Sequence, residues 1–289
     1  MMSSKDNTQF SIEFYPPRTA EGGPKLDAVH AELARLNPGF FSITYGAGGS
    51  TRDGTRSLAL KYTEAGSSIA PHLSFGGSDE AEVAQLLQDY KAAGITRLVA
   101  LRGDLPSGSG SVKHYRYASE LIEFIRAKTG DHFHIEVACY PEMHPEARNL
   151  FEDIEYFRQK VDSGADSAIT QYFYNADAYF YFVDYCRGKG IDIPIVPGIM
   201  PITNYDSLAR FSRKCGAEIP RWLDQRLLAM ADDPEGLKEF GAEVVTGLCQ
   251  RLLDGGAPGL HFYSMNLARP TQRIWENLAL SGNNRSAAD

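Results

Sequence analysis

Cysteine is scarce and scattered in this chain. The 289 residues include four, Cys139, Cys186, Cys215 and Cys249, and no two form a CxxC pair. That spacing excludes the usual zinc-ribbon and thioredoxin-like patterns. With no secretory signal at the start, it leads to the expectation of free thiols in a reducing cytoplasm. No apolar run approaches the roughly 20 residues needed to span a bilayer, so no membrane partner is expected. Positive charge is also short: 29 Lys and Arg stand against 37 Asp and Glu, for a net charge of −8. Nucleic acid is therefore excluded as a default partner. A local Arg or Lys site for a small anion is not.

Three catalytic signatures are missing as well. Gly46-Ala47-Gly48-Gly49 follows an apolar run, but Thr51 occupies the third glycine position of GxGxxG, so the dinucleotide fingerprint is incomplete. Lys61, Lys91, Lys160 and Lys189 all fall in helical or loop stretches, leaving no strand-end lysine for a Schiff base. There is no HxH pair and the histidines are scattered, which argues against a dense metal site.

What the chain does have is alternation. Apolar, β-branched or aromatic runs recur at 10–14, 40–45, 69–75, 97–103, 133–140, 167–173, 193–200 and 260–265. Their near-continuous apolarity suits parallel strands covered on both faces. Helical patterns lie between them. Leu26, Val29, Leu33 and Leu36 form a 3.6-residue stripe. The stretch from Ser78 to Ile95 opens with Ser78 as the expected N-cap and closes at Gly94. Helices are also expected over Tyr117–Lys128, Pro145–Gly164 and Asp177–Gly190, with Pro145 at a first helical position. Tyr205–Gly255 holds a helix plus an extra segment near Ile219–Met230. The expectation is an α/β chain of one domain over 1–289, a (β/α)8 TIM barrel with loose tails at 1–9 and 281–289.

In such a barrel, chemistry is built at the C-terminal ends of the strands. The polar groups there are Glu13, Thr44, Tyr45, His72, Arg102, Asp104, Tyr140, Glu142, His144, Gln171 and Tyr263. Glu13 sits between Ile12 and Phe14 ahead of Pro16-Pro17, and an apolar setting of that kind would raise a carboxyl pKa and suit a general acid. The alternative is a buried Glu paired to Arg18 or another base. Gly103, between Arg102 and Asp104, lets a flat ligand approach the backbone. A metal-dependent barrel hydrolase built on His72, His144, Glu13 and Asp104 stays open, as does a non-catalytic flavin or folate binder.

The ordered motifs SIEFYPPRT, SITYGAGG, APHL, ALRGDLP, ACYPEMHPEA, ITQYF, PGIMPITN and HFYSMN resemble the methylenetetrahydrofolate reductase family from about Ser11 to Asn266. The resemblance is to the short bacterial form, the catalytic barrel alone, and it implies a homo-oligomer. It also implies FAD as cofactor, with NAD(P)H passing hydride to the flavin and the flavin passing it to methylenetetrahydrofolate, both partners using one site in turn. On the family pattern Glu13 is the general acid. Asp104 is the acid beside flavin and pterin, stabilising an iminium cation and holding the pterin. Thr44, Tyr45, His72, Arg102, Gly103, Asp104, Ala118, Tyr140, His144, Ala147, Asp153, Gln159 and Lys160 match flavin contacts. Asp104, Gln171, Ser207 and Phe211 match substrate contacts, and no metal is implied. The pattern calls for Arg after HFYxxN, where this chain has Leu267, with Arg269 two places on. That departure and Ser207 both concern the folate tail.

Overall fold

The short apolar runs become the staves of a parallel barrel. The computed structural model describes residues 9–45, 52–75, 79–102 and 117–280. In chain order the elements are β1 (Gln9–Phe14), α1 (Gly22–Ala34), β2 (Phe40–Ile43), α2 (Arg52–Glu64), β3 (Ile69–Leu73), α3 (Glu80–Ala92) and β4 (Arg97–Ala100). Then come α4 (Ala118–Thr129), β5 (His134–Cys139), α5 (Leu150–Asp162), β6 (Ser167–Thr170), α6 (Ala176–Gly188), β7 (Ile195–Val196) and β8 (Gly198–Ile199). The last are α7 (Tyr205–Cys215), α8 (Arg221–Leu228), α9 (Pro234–Asp254), β9 (Gly259–Tyr263) and α10 (Ala268–Asn277). The sheet order is β7-β6-β5-β4-β3-β2-β1-β9-β8, and every pairing is parallel. This is the (β/α)8 barrel the sequence predicts.

The run at 193–200, expected as one strand, is broken in two. Proline has no N–H to give a ladder, and Pro197 falls at the break. β7 pairs with β6 through Ala168 and Ile195, and β8 pairs with β9 through Gly198 and His261. The two pieces thus act as one stave that closes the ring, and Pro197 still accepts a hydrogen bond from His261 N at 3.0 Å. Gly198 donates its N–H to Thr170 Oγ1 at 2.9 Å. A Cβ on Gly198 would collide with Thr170 O and lie 2.6 Å from the Tyr263 ring. Gly198→Ala is expected to cost about 1–3 kcal/mol, read as a lower midpoint in urea with an unchanged slope.

Three of the boundaries that differ from expectation have a visible local cause. β1 begins at Gln9, whose N–H already bonds Pro258 O at 3.1 Å. The N-cap of α3 is Asp79, accepting from Glu82 N at 2.8 Å, and Ser78 lies outside the described residues. α5 starts at Leu150 rather than Pro145, because Asn149 caps it by accepting from Glu152 N at 3.0 Å. The chain before Asn149 is a loop bent through Met143 at φ 77°. Among the described residues no helix is long and apolar enough to cross a membrane.

Alternation along each strand divides two cores. Phe10, Ile12 and Phe14 face the helices; Phe10 meets Trp275 of α10 edge-on at 5.4 Å. Inside the barrel a small apolar layer of Phe40, Ala70, Val99 and Ile169 fills the middle. Beneath it Arg97, His134, Glu136 and Ser167 plug the N-terminal end, with the Arg97 guanidinium 4.6 Å from the Phe40 ring. The C-terminal end is left open.

Candidate active site

The open end of the barrel holds a cavity of about 490 Å³. Glu13 reaches it from the end of β1, because Ser11 and Glu13 share the inward face. Glu13 Oε2 lies 3.4 Å from His72 Nε2 and 3.8 Å from His261 Nε2. The setting is therefore less apolar than its strand neighbours suggest, and the groups beside the carboxyl are two imidazoles rather than Arg18. His261 is 1% exposed and sits one layer deeper. Its Nδ1 is 2.7 Å from Ser11 Oγ and its Nε2 is 3.4 Å from Ser42 Oγ. The carboxylate is thus carried on a buried polar column inside an apolar barrel. Ser264 Oγ donates to the Glu13 carbonyl at 2.5 Å, fixing the end of β1 against β9.

Burial pushes the His72 imidazole down to about 4; Glu13 pulls it back up and His261 pushes it further down. The folded value lies below the ordinary 6.5, so on acidification the unfolded chain takes the proton first. The stability due to neutral His72 is complete above pH 6.5 and is lost as pH falls towards 4. His72→Gln should flatten this part of the acid limb, measured as the difference in Tm between variant and parent across that window.

The loop after β5 supplies the next wall. Tyr140 and His144 meet edge-on at 4.6 Å. Asp153 of α5 accepts from His144 N at 2.9 Å, and its carboxyl is pushed up by burial against the pull of that bond and of Lys160. Lys160 reaches down α5 to donate to Ala138 O at 2.5 Å, and burial lowers its ammonium pKa. Arg102, at the end of β4, pairs with Glu146 at 2.7 Å. On the far side Gln171 accepts from Tyr172 N at 3.0 Å, and Tyr263 OH donates to Thr170 O at 2.7 Å. Phe211 of α7 stacks on Tyr172 at 5.8 Å with its ring 40% exposed.

Of the residues singled out in the sequence, Glu13, Thr44, Tyr45, His72, Arg102, Ala118, Tyr140, His144, Ala147, Asp153, Gln159, Lys160, Gln171, Phe211 and Tyr263 all line this cavity. Gly103 and Asp104 lie outside the described residues. Ser207 is in the first turn of α7 and is not in the lining; its Oγ accepts from Arg210 at 3.3 Å. Glu142 also misses the cavity. It accepts from Glu218 N at 2.7 Å and ties the β5–α5 loop to the end of α7, and burial lifts its carboxyl to about 7. Arg269, 77% exposed on α10, pairs loosely with Glu276 at 3.8 Å rather than facing the cavity. Sequence reasoning missed Met200 and Met265 in the lining, the rim pair Tyr117 and Tyr156 stacked at 6.4 Å, and His261 below. Strand register is the one signal that would have turned His261 inward.

Two buried polar atoms in the lining, Thr44 Oγ1 and His72 Nε2, have no hydrogen-bond partner among the described residues. Buried groups are normally satisfied, so both are set to meet something that enters. Among the described residues no group of three or more His, Cys, Asp or Glu is placed to hold a metal.

A closed parallel barrel with an acid at a strand end, over a mouth lined from nearly every stave, defines a TIM-barrel enzyme. Comparison with known proteins narrows the class. The chain matches the methylenetetrahydrofolate reductase family profile over residues 1–279. It is 38% identical over 271 residues to the 5,10-methylenetetrahydrofolate reductase of Escherichia coli K12, covering 93% of this chain and 90% of that protein. Identity to the Pectobacterium carotovorum protein of the same name is 37%, with the same coverage. A probable methylenetetrahydrofolate reductase (NADH) of Oryza sativa is 38% identical over 94% of this chain, but only 48% of the rice protein is covered. In fold, the chain is similar to a Clostridium thermocellum protein that binds two copies of 5-methyl-5,6,7,8-tetrahydrofolic acid. The TM-score is 0.66 at 16% identity, covering 96% of this chain and 95% of that one. The chain belongs to the methylenetetrahydrofolate reductase family and is an oxidoreductase; the reaction of that family is methylenetetrahydrofolate reduction.

Proposed function

We propose that this barrel reduces 5,10-methylenetetrahydrofolate to 5-methyltetrahydrofolate with NAD(P)H, using FAD held in the mouth cavity and admitting the two partners in turn. The observation that carries the reading is Glu13, set beside two imidazoles at the edge of a cavity in which two buried polar atoms, Thr44 Oγ1 and His72 Nε2, lack hydrogen-bond partners among the described residues. The lining fits a flavin. Thr44 Oγ1 and His72 Nε2 are unsatisfied there, Ala118 and Ala147 allow close approach, and Arg102 and Lys160 supply positive charge for a pyrophosphate. Thr44, Tyr45, His72, Arg102, Tyr140, His144, Asp153, Gln159 and Lys160 would hold the cofactor. Bound there, FAD supplies two-electron hydride chemistry that no amino-acid side chain can perform.

The remaining chemistry belongs to the chain. The one carbon of the substrate is locked in a five-membered ring between two nitrogens. Opening that ring to the reactive cation requires a proton on the leaving nitrogen, and Glu13 holds that proton at its carboxyl. Asp104 is assigned the negative charge that stabilises the cation. Gln171 orients the entering ring through its amide, with its Oε1 fixed by Tyr172 N. Phe211 covers whichever partner is present. The test is purification followed by assay. The protein should be yellow, and on incubation with reduced nicotinamide dinucleotide and methylenetetrahydrofolate it should form 5-methyltetrahydrofolate, identified by chromatography. Colourless protein that takes up no FAD on reconstitution overturns the reading.

A further inference from the structure

Glu13 is aimed by little that touches its carboxyl. The His72 and His261 nitrogens lie at 3.4 and 3.8 Å, both longer than an ordinary hydrogen bond, so neither fixes the side chain closely. Its direction therefore depends on the backbone that carries it. The ladder between β1 and β9 ends with Glu13 opposite Tyr263. Beyond that last rung, the strand exit is held by the turn after β9, residues 264–267. Ser264 Oγ donates to Glu13 O at 2.5 Å and accepts from Asn266 N at 3.2 Å. Asn266 commits both ends of its amide to one residue of the exit. Its Oδ1 accepts from Tyr15 N at 3.0 Å, and its Nδ2 donates to Tyr15 O at 2.8 Å. Tyr15 OH reaches back to Met265 O at 3.4 Å.

The turn itself is strained. Met265 and Asn266 stand at φ 52° and 56°, two left-handed residues in succession, neither of them glycine. Asparagine tolerates that region, but a long side chain such as methionine rarely enters it. Strain of this kind persists where surrounding contacts over-determine it, and it gathers at functional sites. Here the bend turns the Asn266 amide onto Tyr15 and leaves Met265, 43% exposed, in the lining of the mouth cavity. Glycine would satisfy the bend alone. A primary amide adds a donor and an acceptor side by side, which the bend does not need and a clasp does. We propose that Asn266 is a positioning residue for the general acid: its amide clasps Tyr15 and so fixes the exit of β1 with Glu13 aimed into the cavity. The inference rests on the reading of Glu13 as the proton donor and adds what holds it there. Pro16 and Pro17, next along the chain, have no N–H with which to extend the ladder. The clasp takes the place of the missing rung.

Asn266→Gly is the informative substitution, because glycine keeps the left-handed bend and loses the amide. Two measurements read it. In the purified protein, hydrogen exchange of the segment around Tyr15 should become faster than in the parent, and the two prolines contribute no amide to blur the signal. In the FAD-loaded protein, the folate half-reaction should slow by about 10- to 100-fold, as an ångström-scale misplacement does. Flavin reduction by NAD(P)H should stay near the parental rate. Ser264→Ala should act in the same direction. Combined with Asn266→Gly, it should slow the reaction by less than the product of the two single effects, since both residues hold one exit. Unchanged exchange around Tyr15 overturns the clasp. A folate half-reaction at the parental rate overturns it too, as do fully multiplicative effects in the double variant. An equal fall in both half-reactions overturns the positioning role and makes the turn a support of the whole mouth. All of these leave the reductase reading intact. A parent that reduces no folate overturns that reading, and the positioning role falls with it.

Discussion

Replacing Glu13 by Gln should slow folate reduction by about 10²- to 10⁴-fold, the usual worth of a positioned general acid, while the protein is still reduced by NAD(P)H at nearly the parental rate. The substitution keeps the shape of the side chain and its reach to His72 and His261, so the column of Ser11, Ser42 and His261 stays in place beneath it. What it removes is the transferable proton. On the proposed function only the folate half of the cycle needs that proton, because only there must a carbon–nitrogen bond be opened. The split between the half-reactions is therefore the informative result. If both rates fall together, Glu13 supports the structure of the mouth and the acid must be sought elsewhere. If neither falls, the protein only binds its ligands there.

The largest stability effect is expected at the opposite end of the barrel. Glu136 is 3% exposed and is held by the Arg97 guanidinium, by Ser167 Oγ and by His134 Nε2 at 3.5 Å. Burial pushes its carboxyl up, but the His134, Arg97 and Ser167 interactions together bring it below its ordinary 4.5. Arg97→Leu leaves that carboxylate buried with too little compensation, at a cost of roughly 3–5 kcal/mol. The loss should appear as a Tm lower by about 10 °C in a chain of this size. Adding Glu136→Leu should recover much of it, since the uncompensated charge is then gone. The pH dependence has a definite sign. The folded carboxyl titrates below 4.5, so its contribution is complete above that pH and is lost as pH falls through and below it. The Arg97→Leu protein should lack that acid-side loss.

The strands were legible because each is buried on both faces and so reads as an unbroken apolar run. The acid at the end of β1 was legible because a charge in such a run is conspicuous. Other features depend on partners distant in sequence. The break at Pro197 matters because two different staves lie on either side of it. His261 looks like one more core residue between Leu260 and Phe262 until the register of β9 on β1 turns it towards Glu13. Glu142 reads as a strand-end carboxylate, yet the loop that bends at Met143 turns it to the N–H of Glu218. α2 and α10 were not among the expected helices, α10 although its buried Ala268, Thr271, Ile274 and Trp275 recur at helical spacing. The family motifs carried site residues, such as Asp153 and Lys160, whose roles no local pattern betrays.

The most direct measurement is a single anaerobic titration of the purified protein, first bleached with reduced nicotinamide dinucleotide and then mixed with methylenetetrahydrofolate. The account predicts that the visible flavin band returns in full, with one equivalent of 5-methyltetrahydrofolate formed per flavin. A band that bleaches but stays bleached in the presence of the folate contradicts it.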